Sequence, residues 1–525
     1  MPELLKDRSS VWFFAIGVAA VTAGVLLHLP MFWMGRHMGF RMAGMPMDPG
    51  MIAGMYMILA GVALAAWGLL PKRVAAQVAA SRHISVAAPE DAPLSAAHWK
   101  LMVVLVVALI IDVMKPASLG FIMPGMTAEY GVPREAAALV PFAALAGTVA
   151  GSIFWGIMAD IYGRKATIML SAVMFVGTSI CGAMPTLQWN VIMCFLMGMA
   201  AGGMLPVTYA LLAEVMPSKH RGWALVLVGG LGSAGGYLAA SFFSATLEPI
   251  LSWRILWLIN LPTGLILLML GRLIPESAKF LLARGRRAEA QAAMARFGTR
   301  SHTHGAEEED VDFAPLHLDR EAQRGGIWRA GLRGRSAALT TLALGWGLVN
   351  FGLLLWLPAA LVERGLPMKA ASTLIAQSAL LAFPTVGVVA FFYSRWSTKG
   401  SLLAATGVTG IGLAGVLAMD TVGLVFSPVA ILAFLIIGSN AMLAILLPYT
   451  AESYPLHIRG RATGWIAACT KGGGLAAQGL SIAALTPSLG LAAAMIAGPV
   501  ALGLALAAFY CRETRGIDLR TVDRS

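Results

Sequence analysis

The chain has 525 residues, of which 58% are hydrophobic and 12% charged, with a mean hydropathy of +0.76. Soluble chains carry about 25% charged residues, so this composition excludes an ordinary soluble domain and points to helices in a bilayer. A net charge of +12 would suggest nucleic acid in a soluble protein, but in a membrane protein topology explains it first.

Taken in chain order, the first two apolar runs lie at 11–30 and 51–70. Barrel strands alternate in polarity, so continuous runs of this length read as helices. The first is too long and ends too late for a secretory signal, and no small-residue cleavage site follows it. Residues 31–57 hold nine of the 29 methionines: Met31, Met34, Met38, Met42, Met45, Met47, Met51, Met55 and Met57, with His37 among them. Soft thioethers suit Cu(I), and Met serves equally well as adaptable packing. The hairpin therefore carries alternative expectations: soft-metal binding, packing beside the remaining helices, or docking of a partner.

Twelve further runs follow at 101–124, 136–158, 166–184, 187–212, 223–245, 254–271, 336–361, 372–393, 401–419, 422–447, 462–485 and 491–510. The expectation is an all-α polytopic membrane protein of fourteen helices. Its segments are a hairpin with linker (1–96), a six-helix bundle (97–275), a polar loop (276–335), and a second six-helix bundle with its tail (336–525). The loop region predicts an amphipathic helix at 286–297, then a His- and acid-rich solvated stretch (301–312). With the N-terminus inside, 30 Lys and Arg fall on the cytoplasmic side, six on the other and two inside helices. That asymmetry places both termini in the cytoplasm of a bacterial inner membrane. Cys181, Cys194, Cys469 and Cys511 form no CxxC pair and lie in or beside apolar runs. They imply neither a disulfide framework nor a metal knuckle.

Ionisable groups at mid-span are costly and normally face a cavity or a partner. Asp112 sits in the middle of the first core run, with Lys115 three residues on along the same helix face and Pro116 beside it. Asp112 reads as a proton acceptor and Lys115 as an attractor for an anionic substrate. The alternative is a mutually neutralising pair that only packs. Lys471 lies about ten residues into the eleventh core run, with no acid within two turns on its own helix. Two central lysines against one aspartate favour an anionic ligand. Tyr237, Asn350, Trp356, Gln377, Asn440 and Gln478 are further mid-span candidates for substrate contact, each also suited to binding helix to helix. Gly230-Leu-Gly232-Ser-Ala-Gly235 matches GxGxxG only formally, since it lies within an apolar run and follows no strand.

An internal repeat fixes the architecture. Glu214-x-x-Pro217-x-x-x-Arg221-Gly222 recurs as Glu452-x-x-Pro455-x-x-x-Arg459-Gly460, each at the cytoplasmic end of the fourth helix of its half. Parallel six-helix repeats with a site between them at the midplane are a known transporter plan. The segment Gly156-Ile-Met-Ala-Asp160-Ile-Tyr-Gly163-Arg164-Lys165 resembles the signature of the major facilitator superfamily. The second-half counterpart, Tyr393-Ser-Arg395-Trp-Ser-Thr-Lys399-Gly400, is degenerate. Pro275-Glu276-Ser277 and Glu513-Thr-Arg515 are similar to motifs of its sugar-porter and metabolite:proton symporter branch. Gly202-Gly-Met-Leu-Pro206 through Glu214 and Arg221 resembles its niacin and aromatic-acid carriers.

The resemblance covers roughly 97–516 and implies a major facilitator fold with an extra N-terminal hairpin. It also implies a cytoplasmic gating network of Gly156, Asp160, Gly163, Arg164, Lys165, Glu214, Arg221, Glu452 and Arg459. The fifth core run lacks the Gly-Pro motif common in antiporters of that family. The reading is a secondary active transporter, a proton-coupled symporter of a small organic anion working as a monomer by alternating access. Its partners are that substrate, protons and the lipid bilayer, with no nucleic acid, metal or cofactor. Alternatives are a metabolite or drug exporter, a copper importer using the Met hairpin, or a non-transporting receptor. An enzyme is not expected, because GxxxxGK, HExxH and GxSxG are all missing from the sequence.

Overall fold

A computed structural model describes residues 8–70, 84–87, 93–283, 286–303, 326–329, 331–421 and 427–515. Most of the acid-rich stretch and the last ten residues lie outside the described residues.

The hairpin consists of α1 (Arg8–Leu26) and α2 (Pro49–Leu69), which run antiparallel. Asp48 starts α2, its carboxylate accepting the Met51 N–H at 2.6 Å, with Pro49 in the first turn. Glycines at seven-residue spacing let the two backbones meet: a Cβ on Gly24 would lie 2.6 Å from the Gly54 carbonyl. Met31, Met42 and Met51 are fully buried, so part of the methionine stripe is core packing.

The first half contains α3 (Ala96–Tyr130), α4 (Leu139–Tyr162) and α5 (Arg164–Gly177), the last continuing as a 3-10 turn over Thr178–Ala183. Then come α6 (Leu187–Ala201), α7 (Met204–Val215), α8 (Ser218–Leu251) and α9 (Asn260–Leu270). A capping box of Ser95 and His98 opens α3, and Gly131 closes it in the left-handed region at φ +60°. In the polar loop α10 (Ala278–Ala283) precedes α11 (Arg287–Phe297), at the position the sequence predicts. Sequence patterning gives no sign of the two-stranded antiparallel ribbon of β1 (Ile84–Ala87) and β2 (Arg300–Thr303). This ribbon joins the hairpin linker to the inter-bundle loop and adds four-residue strands to an otherwise helical chain.

The second half opens with α12 (Arg333–Leu348), which passes through a π turn at Val349–Leu353 into α13 (Leu354–Glu363). It continues with α14 (Met368–Ala382), α15 (Thr385–Arg395), α16 (Thr398–Thr421), α17 (Pro428–Ser453), α18 (Leu456–Ile482) and α19 (Leu489–Tyr510). Among the described residues, twelve helical stretches are long and apolar enough to cross a membrane. The two other expected spans are also helical but differ for physical reasons. Ile255–Leu270 is shorter, and α18 carries Arg459, Arg461 and Lys471 along its length. Large apolar side chains such as Ile411, Phe391 and Phe509 are exposed on the outside, as lipid contact requires.

Candidate functional site

A cavity of about 530 Å³ lies between the halves, and both contribute to its wall. From the first half come Asp112 and Pro116 of α3, Thr148 to Ile157 along α4, and Tyr237 of α8. Opposite stand Trp346 of α12, Asn350 and Phe351 of the π turn, Asn440 of α17, and Gly464 to Lys471 of α18. Asp112 is 6% exposed. The Lys471 ammonium sits 4.7 Å from the Phe351 ring centre and 5.9 Å from that of Trp346, a cation–π cage. Trp346 is fixed by donating its Nε1–H to the Ser439 carbonyl at 2.9 Å. Asn440 accepts from Ser233 Oγ at 3.0 Å across the halves, and Tyr237 OH has no hydrogen-bond partner among the described residues. A buried wall with one acid, one caged ammonium, amides and aromatic rings suits an amphipathic anion.

Of the nine proposed proton or substrate residues, Asp112, Tyr237, Asn350, Asn440 and Lys471 meet here. Lys115 does not. It is fully buried, and its ammonium points into the first half, donating to the Phe175 carbonyl and Thr178 Oγ1, both at 2.7 Å. Gln377 is exposed on α14, away from the cavity wall. Trp356 and Gln478 line a separate cavity of about 300 Å³ towards the other end of the halves. Gln478 Nε2 donates to the Phe351 carbonyl at 2.5 Å, satisfying backbone beside the π turn. The aromatic cage had no sequence signal, because Trp346 and Phe351 lie more than a hundred residues from Lys471.

Leu355 lines both cavities. It packs on Gly120, where a Cβ would lie 2.7 Å from the Leu355 carbonyl. This crossing is the partition between the two spaces. Beyond it, Arg134 Nη1 and Glu363 Oε1 bridge the halves at 3.0 Å. The larger cavity extends the other way, towards the Gly156 end of α4 and the Gly464 end of α18.

That end carries the repeated motifs, and the geometry repeats with them. Arg164 pairs with Glu214, which accepts Ser277 Oγ at 2.6 Å. Glu276 closes the N-terminus of α5 by accepting the N–H groups of Arg164 at 3.0 Å and Lys165 at 3.4 Å. Gly163 makes room at φ +95°, with Glu276 Oε2 2.8 Å from where a Cβ would stand. In the second half Glu452 accepts Thr514 Oγ1 at 2.9 Å and Tyr393 OH at 2.7 Å. Glu513 closes α16, accepting the Thr398 N–H at 2.9 Å. Arg221 and Arg459 lie within electrostatic reach of Glu452, Lys165 is buried, and Gly156 lines the cavity. The Asp160 side chain lies outside the described residues.

Glu276 and Glu513 join this network but are not in the gating set that the resemblance implies. The signal was a second repeat, Glu276-Ser277 against Glu513-Thr514. Their surroundings differ. Burial raises the Glu276 carboxyl above the ordinary range, against the pull of the Ser277, Lys165 and Arg164 amides. Burial also acts upward on Glu513, but the Ser397 and Thr398 hydroxyls and the Arg515 and Thr398 amides hold it down to about 2. A carboxylate lowered in the fold stabilises above its ordinary value, so the Glu513 cap is intact at neutral pH.

The profile of the Major Facilitator Superfamily matches residues 101–478. The niacin transporter NiaP of Acinetobacter baylyi is 26% identical over 390 residues, covering 74% of this chain and 87% of that protein. The 4-hydroxybenzoate transporter PcaK of the same organism is 27% identical over 386 residues, covering 72% and 82%. The proton:xylose symporter XylE of E. coli, solved with 6-bromo-6-deoxy-D-glucose, shares the fold. Its TM-score is 0.63 at 16% identity, with 81% of this chain and 98% of that chain covered. The chain belongs to the major facilitator superfamily and is a multi-pass membrane transporter, with the hairpin α1–α2 outside the matched region.

Proposed function

We propose that this member of the superfamily is a proton-coupled symporter of a small aromatic monocarboxylate. The observation that carries the reading is the pair of charges facing one cavity from opposite halves: Asp112 from the first, Lys471 from the second. They form no ion pair with each other, so each is available to the cargo. The substrate carboxylate engages Lys471, its ring lies among Phe351, Trp346 and Tyr237, and Asn350 and Asn440 orient it. Asp112 takes the proton, because a second carboxylate would otherwise repel the bound anion in a low-dielectric site. Niacin and 4-hydroxybenzoate, named in two relatives, are both aromatic carboxylates. The end bearing Arg164 and Arg459 is the cytoplasmic face of a bacterial inner membrane, following the positive-inside bias. Substrate then enters past the Arg134–Glu363 bridge and the Gly120–Leu355 partition and leaves between α4 and α18.

Uptake of labelled niacin and 4-hydroxybenzoate by proteoliposomes tests this directly. A hydrogen bond to a charged group contributes about 1.5–3 kcal/mol, so Lys471→Met should raise KM roughly ten- to hundredfold. An unchanged KM for both acids would refute the assignment of Lys471. At the partition, Gly120→Val should slow uptake about tenfold, because overpacking a tight crossing costs ~1–3 kcal/mol. Wild-type rates from correctly folded Gly120→Val protein would show that this crossing does not close the path.

A further inference from the structure

The hairpin meets the first half at α5, and it does so beside the residues that hold Lys115. The α-helical part of α5 ends at Gly177, and the 3-10 turn begins at Thr178. Gly177 presents its bare face to the hairpin: a Cβ there would lie 2.9 Å from Ile58 Cγ2 and 3.6 Å from Val21 Cγ1. Val21 and Ile58 are themselves buried. The residues flanking this contact, Phe175 and Thr178, are the two that hold the Lys115 ammonium. Thr178 Oγ1 also donates to the Phe175 carbonyl at 3.0 Å, and the ammonium lies 3.5 Å from the Phe175 ring centre. The ammonium is thus fixed on α5 and makes no ion pair with Asp112, three residues away on its own helix.

We infer that the α1–α2 hairpin is a positioning element for proton coupling: by packing Val21 and Ile58 on Gly177 it keeps Lys115 docked on α5 and off Asp112. The inference rests on the proton-carrying role proposed for Asp112. A lysine three residues from an aspartate on one helix face can swing onto it. Such a contact would lock the carboxylate in its charged form and oppose loading with a proton. The ionisable groups that bear on the pair are Cys181 and Cys194 beside Lys115, and Lys471 beside Asp112. Tyr237 of α8 stands on the cavity wall; α7 offers Tyr209 and, in its last turn, Glu214 paired with Arg164, and α9 has no ionisable residue. Among the described residues Asp112 is the one carboxylate bearing on Lys115, the Cys181 and Cys194 thiols being neutral when protonated, so a released ammonium moves towards Asp112.

The test is the pH profile of niacin and 4-hydroxybenzoate uptake by the full chain in proteoliposomes. Loosening the contact with the double variant Val21→Ala, Ile58→Ala should move the midpoint to lower pH. The shift should be on the order of one pH unit, the scale expected when a buried cation approaches by a few ångströms. Adding the same pair to Lys115→Met should move nothing, because the charge that responds is gone. If the double variant is not monodisperse, Ile58→Val alone should give a smaller shift in the same direction. An unmoved midpoint in folded variants, or a shift that persists in Lys115→Met, overturns the inference. Asp112→Asn separates the two readings. If it still accumulates substrate under a pH gradient, both fall; if it does not and the midpoint ignores the hairpin variants, the hairpin role alone falls.

Discussion

Asp112→Asn is expected to abolish accumulation of substrate against its gradient in proteoliposomes with an imposed pH difference. Counterflow, in which internal unlabelled substrate exchanges for external label, should continue. The amide has the shape of a protonated carboxyl and carries no charge, so the loaded form of the carrier persists without the ability to release a proton. Wild-type uptake should fall as external pH rises, since fewer carriers are protonated, whereas the variant's exchange should be nearly independent of pH. The sign follows from the site: an ionised Asp112 would face the bound anion across a buried cavity, and neutralisation removes that repulsion. The loss in net accumulation should be complete, because downhill proton flow is then disconnected from the substrate.

Arg254→Met is expected to give the largest loss of stability. Arg254 is fully buried and Glu129 nearly so, with Nη2 and Oε1 2.7 Å apart. Breaking one partner of a buried pair costs about 3–5 kcal/mol, because the other charge stays buried without its counter-ion. At ~2–4 °C per kcal/mol for a large domain, Tm in detergent should fall on the order of 10 °C. Glu129 also accepts the Met42 and Ala43 N–H groups at 2.7 and 3.1 Å and Trp253 Nε1–H at 2.9 Å. Arg254 further donates to the Gly182 and Met184 carbonyls. Replacing both partners by apolar residues should therefore not restore stability, since those amides and carbonyls lose their partners. The hairpin loop should become sensitive to protease in the same variants, as its anchor to the first half is lost. A Tm within about 2 °C of wild type for Arg254→Met would show that the Arg254–Glu129 pair contributes little to stability.

The fold was legible because membrane insertion demands long apolar runs, and because Glu214 to Gly222 recurs as Glu452 to Gly460. Both constraints act locally along the chain. The site was legible only in part. Asp112 and Lys471 announced themselves by the cost of charge at mid-span, whereas the direction of a long side chain is a tertiary fact. Lys115 shares a helix face with Asp112 in sequence, yet the end of α5 offers it the Phe175 carbonyl and the Thr178 hydroxyl, and these take the ammonium away from the cavity. Gln377 looked equivalent to Asn440 as a polar residue in an apolar run. Only the packing of α14 and α17 decides that one is exposed and the other on the cavity wall. The methionine stripe was ambiguous for the same reason, because thioethers that ligate and thioethers that pack have identical spacing.

Substrate and proton are expected to cross together through the Asp112–Lys471 cavity. The most direct measurement is luminal pH in proteoliposomes loaded with a pH-sensitive dye, with no imposed gradient, on adding niacin or 4-hydroxybenzoate outside. The wild-type carrier should acidify the lumen in step with labelled uptake, and Asp112→Asn should give no acidification. Uptake of either acid by the wild type with no change in luminal pH would contradict the claim.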